Sequence, residues 1–210
     1  MAKGRSMDVL IEAMVGKFID RVGGTHLAEH AEDLGRIARV VGYAHAEAKQ
    51  VRKFSGEPYL VHPLEVALLM VEVGGSLALV KAALGHDALA DKAMTEEQLL
   101  SLIGADAVQL VKEVTEVSRP EDGDRKARKA LDREHLAAAS EEGQTLCLGD
   151  MASNTKDIAE RDPKFAGVYL PEKSLILESM AGGNASLRAL VQAQIERGHR
   201  RLQERLAAAN

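Results

Sequence analysis

The chain has 210 residues, 46% of them hydrophobic and 28% charged, with a formal net charge of −5. This composition excludes a disordered or collagenous chain. The acidic balance, with three Phe, three Tyr and no Trp, excludes a broad nucleic-acid face, which needs basic surface and stacking platforms. A single cysteine, Cys147, excludes an internal disulfide and a paired-thiolate metal site, and suits a reducing compartment.

Helical periodicity runs through the sequence. Residues 1–5 are basic, but the segment after them, Val9 to Ile19, is interrupted by Glu12, Gly16 and Lys17. Neither a signal peptide nor a membrane span is expected, and the cytoplasm is the expected location. Val9, Leu10, Met14, Phe18 and Ile19 predict a first helix that Gly23-Gly24 stops. A second is expected from about Leu27 to Val51, followed by a turn-rich loop from Phe54 to Tyr59. Pro63 reads as the first residue of a third helix, where its missing N–H costs nothing. A fourth begins near Ser76 and runs to His86-Asp87.

Thr95-Glu96-Glu97-Gln98 predicts a capping box opening a short helix that Gly104 closes. Another helix is expected over Ala107 to Val117. Residues 119–130, almost all charged or small, read as an exposed loop. Further helices are expected near Leu131–Ala139, Thr145–Ala159 and Pro171–Met180, with a last amphipathic one over Ala185 to Ala208. No alternating strand pattern, internal repeat or low-complexity tract occurs. The expected fold is therefore all-α: a single helical bundle at 31–180, an N-terminal helical extension at 1–30 and a C-terminal helix at 181–210.

Three separated segments each set a metal-competent group beside an apolar stretch. Ala82-Ala83-Leu84-Gly85 leads into His86-Asp87, an imidazole and a carboxylate side by side, with Asp91 four residues later. Pro58-Tyr59-Leu60-Val61-His62-Pro63 puts a histidine at a helix start. Leu146-Cys147-Leu148-Gly149 ends in Asp150, with Asn154 four residues on. A His-Asp pair alone is weak evidence, more often a surface pair or a satisfied core histidine. Three such segments together are what a site between packed helices needs, because a buried charge must be paired or coordinated. Imidazole with carboxylate suits Mn, Fe or Zn.

His62, His86-Asp87 and Asp150 resemble the H…HD…D signature of the HD superfamily of metal-dependent phosphohydrolases. Arg52-Lys53-Phe54-Ser55-Gly56-Glu57-Pro58-Tyr59-Leu60-Val61-His62-Pro63 resembles the RK…GxPYxxHP stretch of small alarmone hydrolases and of the hydrolase domains of the long synthetase/hydrolase proteins. Ile103-Gly104 with Leu110-Val111-Lys112-Glu113-Val114-Thr115 is similar to FG…LVxxVT, and Leu148-Gly149-Asp150-Met151-Ala152-Ser153-Asn154 to LADxxxN. The resemblance covers about residues 35 to 180.

It implies a single divalent ion per chain, usually Mn²⁺, held by His62, His86, Asp87 and Asp150. It implies an enzyme that removes the 3′-pyrophosphate from ppGpp or a related purine alarmone, giving GDP and pyrophosphate from ppGpp. Arg52 and Lys53 would meet the nucleotide's charge, Asn154 would lie near the nucleoside, and the basic run Arg125, Lys126, Arg128 and Lys129 could also meet a polyphosphate. The partner is thus a small purine nucleotide polyphosphate, with no nucleic acid and no membrane.

The sequence departs from the family at three places. The family's H-D-x-x-E-D reads His86-Asp87-Ala88-Leu89-Ala90-Asp91 here, so Asp91 remains as the candidate base and Ala90 stands in place of the glutamate thought to act on the water. Gly85 and Gly149 replace bulkier residues beside the ligands, which could make room for a ligand or loosen the shell around the ion. The aromatic that stacks on the base in some relatives has no clear counterpart; Tyr169 and Lys173 are nearest. Three readings stay open: an alarmone hydrolase, a catalytically weak domain that binds or senses a nucleotide, and a phosphohydrolase of another nucleotide.

Overall fold

A computed structural model describes residues 6–208; the basic start at 1–5 and the last two residues lie outside the described residues. The chain divides into two compact units, Met1–Thr115 and Glu116–Asn210. Among the described residues the regular structure is helical, apart from one isolated bridge between Val51 and Pro58. The all-α expectation therefore holds.

The first unit carries α1 (Met7–Gly23), α2 (Ala31–Glu47), α3 (Val61–Glu72), α4 (Leu77–Gly85), α5 (Glu96–Ile103) and α6 (Ala105–Val114). Ser6, Ser76 and Thr95 cap α1, α4 and α5 by accepting from a backbone N–H of the first turn. The capping box is present, with Thr95 and Gln98 each satisfying the other's backbone. Gly104 closes α5 at φ +86°, a conformation that disfavours a side chain.

The core of this unit is aliphatic, as the scarcity of aromatics required. Ile11, Val15 and Phe18 of α1 face Leu34, Ile37, Ala38 and Val41 of α2, and all are essentially inaccessible. α3 and α4, each apolar along most of their length, pack on one another. Gly85 serves the packing of α4 on α5: a Cβ there would stand 2.9 Å from Leu99 Cδ1. Its missing side chain leaves room for Leu99.

Several boundaries differ from those expected. The second helix ends at Glu47, short of Val51, because Lys49 turns the chain at φ +58°. Pro63 is the third residue of α3 and not the first; its lost N–H still lies among the four that a helix start leaves unbonded. α4 ends at Gly85, so His86 and Asp87 sit in a following series of turns rather than in the helix.

The second unit carries α7 (Arg125–Ala137), α8 (Glu141–Thr155), α9 (Ile158–Arg161), α10 (Pro163–Ser179) and α11 (Ala185–Ala208). The charged stretch read as a loop is helical from Arg125 onward. Asp124 caps it and its polar face stays wet, so charge density alone does not mark a loop. α10 starts eight residues before the expected Pro171 and carries that proline in its interior. Pro163, in the first turn, and the Asp162 cap explain the true start. The long α11 matches its expectation and packs on α8 and α10 through Leu187, Val191 and Ile195.

Asp132, buried in α7, accepts from the backbone N–H groups of Val117 and Ser118 and from the Ser118 hydroxyl, at 2.9 to 3.1 Å. Hydrogen bonds to a charged acceptor are worth about 1.5–3 kcal/mol each. Asp132→Ala should lower unfolding free energy by about 3 kcal/mol, since three donors lose one acceptor together. Urea denaturation reads it, and Asp132→Asn, which keeps one acceptor oxygen, should recover part of the loss.

Candidate metal centre

Three expected ligands of the first unit converge. His62, the second residue of α3, and His86, just past α4, are both buried, and Asp87 is half-buried beside them. His62 Nε2 lies 3.1 Å from His86 Nε2 and 3.4 Å from Asp87 Oδ2, and His86 Nε2 lies 3.3 Å from the same oxygen. Ligands about 2.1 Å from one ion stand ~3.0 Å apart at right angles and ~3.4 Å apart at tetrahedral angles. The three atoms are thus spaced as three donors to one ion would be.

The donor chemistry agrees with that geometry. His86 Nδ1–H donates to the Ala83 carbonyl at 2.8 Å, which leaves the Nε2 lone pair for an ion. Tyr59 donates its hydroxyl to Asp87 Oδ2 at 2.6 Å and so orients that carboxylate. These residues fit a divalent cation.

Asp91 lies on the turn beyond. Its backbone N–H donates to the Asp87 carbonyl at 2.9 Å, so the chain makes one α-like turn without continuing the helix. Burial pushes the Asp91 carboxyl above the ordinary carboxylate range, and the negative charge of Asp87 adds to the rise; His45 and Tyr59 oppose it. Ala90 is exposed on this turn, and Ala88 points into the core.

Arg52 and Lys53 follow α2 on a loop closed by two backbone bonds, Arg52 N–H to the Glu57 carbonyl and Gly56 N–H to the Arg52 carbonyl, each 2.9 Å. Arg52 is half-buried and Lys53 exposed, with its ammonium 5.1 Å from the Phe54 ring centre.

The remaining expected residues belong to the second unit. Asp150 and Asn154 are one turn apart on α8, and Asn154 Nδ2 donates to Asp150 Oδ1 at 2.6 Å. Lys173 stacks its ammonium over the Tyr169 ring at 5.1 Å. Burial opposes the Lys173 charge, but Tyr169, Asp150 and Cys147 together hold its pKa above the ordinary lysine value. Burial also pushes the Cys147 thiol up to about 12, so it is inert as a nucleophile. In the basic run, Arg125 forms a two-pronged pair with Glu172 at 2.7 and 2.8 Å, and Lys129 pairs with Glu116 and Asp132. Carboxylates therefore already engage two of the four basic residues expected to meet polyphosphate.

The chain is similar to known proteins. The HD-domain family model matches residues 38–146, which include His62, His86, Asp87 and Asp91. The guanosine-3′,5′-bis(diphosphate) 3′-pyrophosphohydrolase MESH1 of Xenopus tropicalis is 30% identical over 166 residues, covering 75% of this chain and 91% of that protein. The chain belongs to the HD-domain family. Such a domain implies a divalent metal, and the His62–His86–Asp87 group is the donor set that could hold it in the first unit.

A longer relative, the guanosine-3′,5′-bis(diphosphate) 3′-pyrophosphohydrolase of Aquifex aeolicus, is 38% identical over 95 residues. That match takes in 45% of this chain and only 13% of the relative's length. A solved structure of a metazoan ortholog of SpoT shares the fold, with a TM-score of 0.65 over 77% of this chain and 94% of that one at 24% identity.

Sequence reasoning missed Tyr59, His45 and Gln50 as neighbours of this HD-domain site. Tyr59 stood in view inside the Pro58–Pro63 motif. His45 gave a signal too, since it continues the apolar face Leu34, Ala38, Val41 of α2.

Proposed function

We infer that this chain is a metal-dependent phosphohydrolase that removes the 3′-pyrophosphate from (p)ppGpp or a related purine alarmone. The observation that carries the reading is the convergence of two imidazole nitrogens and a carboxylate oxygen within 3.4 Å, in a chain that matches a small hydrolase of that activity over 91% of its length. His62, His86, Asp87 and Asp150 are the assigned ligands, Mn²⁺ the assigned ion and 31–180 the catalytic body flanked by terminal helices. The cytoplasm is the assigned compartment, in keeping with a free, buried Cys147. No described helix is long and apolar enough to cross a membrane.

The ion, when bound, supplies positive charge that polarises a phosphoryl oxygen and acidifies water. Everything else falls to side chains. Water's oxygen forms one new bond to phosphorus, the bond from phosphorus to the 3′-oxygen breaks, and the departing oxygen takes a proton. Asp91 is the assigned acceptor of the water's proton, because its carboxylate sits one turn beyond the metal donors, on the turn its N–H closes onto the Asp87 carbonyl. Arg52 and Lys53 are assigned to the nucleotide's phosphates, whose charge guanidinium and ammonium groups neutralise.

The second reading is a nucleotide-binding or sensing domain, and the exposed alanine at 90 favours it. Purified protein with Mn²⁺, assayed against ppGpp, pppGpp and the adenosine analogues, decides between the two. Pyrophosphate release supports the enzyme, and tight binding of the nucleotide without release supports the sensor. Arg52→Ala and Lys53→Ala should each weaken nucleotide affinity without displacing the ion, as read by calorimetry with a guanosine tetraphosphate. Unchanged affinity in both variants would move the binding site elsewhere.

A further inference from the structure

His45 is a buried polar group that the mechanism leaves unused. It stands in the last turn of α2 at 1% exposure, on a face otherwise lined by Leu34, Ala38 and Val41. An imidazole in such a place costs free energy unless its nitrogens are paired. Here Nε2 has no partner, and Nδ1 faces the Gln50 side-chain oxygen. That contact requires the proton on Nδ1, since an amide oxygen only accepts. Gln50 then turns its Nε2 to the backbone carbonyl of Asp91, 3.1 Å away. His45 Nδ1 also lies 3.9 Å from Asp91 Oδ2. The ring packs against Tyr59 with centres 4.6 Å apart, and Tyr59 is the residue that donates to Asp87.

The Asp91 segment needs such support. It is a series of turns beyond the end of α4, with Lys92 in the left-handed region at φ +56°. Helix geometry does not fix the Asp91 carboxylate there. A reacting group displaced by about 1 Å can lose ~100-fold in rate.

We propose that His45 and Gln50 form a positioning pair, holding the Asp91 turn from behind and bracing the Tyr59 ring so that the Asp91 carboxylate stays aligned beside the metal donors. The catalytic part rests on the hydrolase reading; the positioning part stands on the contacts alone.

The test uses the full chain with His45→Phe, which fills the space without a donor; His45→Asn, which keeps a donor near the Nδ1 position; and Gln50→Glu, which cannot donate to the Asp91 carbonyl. Three quantities are measured: Mn²⁺ affinity by calorimetry, kcat and KM for pyrophosphate release from ppGpp, and hydrogen exchange of the backbone N–H groups of residues 91–94 without metal. His45→Phe and Gln50→Glu should speed exchange in that turn and lower kcat by ~100-fold, with KM and Mn²⁺ affinity little changed. His45→Asn should restore both exchange and kcat. Wild-type exchange rates in both His45→Phe and Gln50→Glu would overturn the proposal, as would an Mn²⁺ affinity that falls in step with kcat, since the pair would then act through the metal donors. If the wild type does not turn over ppGpp, the hydrolase reading fails, and the exchange measurement still decides whether the pair positions the turn.

Discussion

His86→Ala and Asp87→Ala should each abolish stoichiometric metal binding. The purified protein should take up one divalent ion per chain at micromolar Mn²⁺, and each variant should lose more than ~100-fold in affinity. The scale comes from the outer shell, where losing a partner that only orients a ligand costs about 10–100-fold. Removing the ligand itself must cost more. His86→Ala deletes a nitrogen whose tautomer the Ala83 carbonyl already fixes, so the site loses a preset orientation as well as a bond. Asp87→Ala deletes the negative charge that the cation meets among the three convergent donors. Tyr59→Phe is the internal standard: it removes only the hydroxyl on Asp87 Oδ2 and should stay within the outer-shell range. Elemental analysis and calorimetry read all three. Asp150→Ala in the same series tests the ligand assigned from the Leu148–Asn154 motif. No metal uptake by the wild type would sink the centre.

Ala90→Glu should raise kcat for ppGpp hydrolysis by roughly ten-fold or more, while Asp91→Asn should abolish turnover and leave the ion bound. A well-placed acid–base group contributes about 10²–10⁴ in rate. Residue 90 lies on the turn that the Asp91 N–H closes onto the Asp87 carbonyl, three residues from a ligand, and its side chain is exposed. A glutamate therefore fits without displacing anything in the core. KM should move less than kcat, because a carboxylate that handles a proton acts mainly in the transition state. Brisk wild-type turnover unaffected by Asp91→Asn would assign the chemistry to another group. Metal and nucleotide bound without turnover, in wild type and Ala90→Glu alike, would leave the sensor reading standing.

The elements that a local signal defines are legible in the amino-acid sequence. The capping box at Thr95, the Gly23-Gly24 stop and the long amphipathic α11 follow from side chains acting on their own neighbourhood. The candidate metal donors are legible only in combination, because one His-Asp pair has bland explanations while three such segments, matching the H…HD…D signature, together do not. What the sequence hides depends on distant partners or on backbone conformation. The true end of α2 turns on Lys49 in the left-handed region, a state that lysine does not advertise. Only the first turns of α7, 125–130, are hidden, because their basic side chains find carboxylate partners, Glu172 and Glu116, remote in sequence. The role of Gly85 depends on Leu99, and the bracing of Tyr59 and Asp91 on His45, contacts that no single window of sequence contains.

The segment that bears the ligands is closed by its own main chain. The Ala88 carbonyl accepts from both Ala93 and Met94, and the Asp87 carbonyl accepts from Asp91. None of these bonds involves the side chain at 90, which faces solvent. The backbone of the centre is thus indifferent to what stands there. Alanine and glutamate codons can differ by a single base, so a gene carrying this scaffold can exchange the side chain at 90 in one mutational step, with no intermediate that must refold.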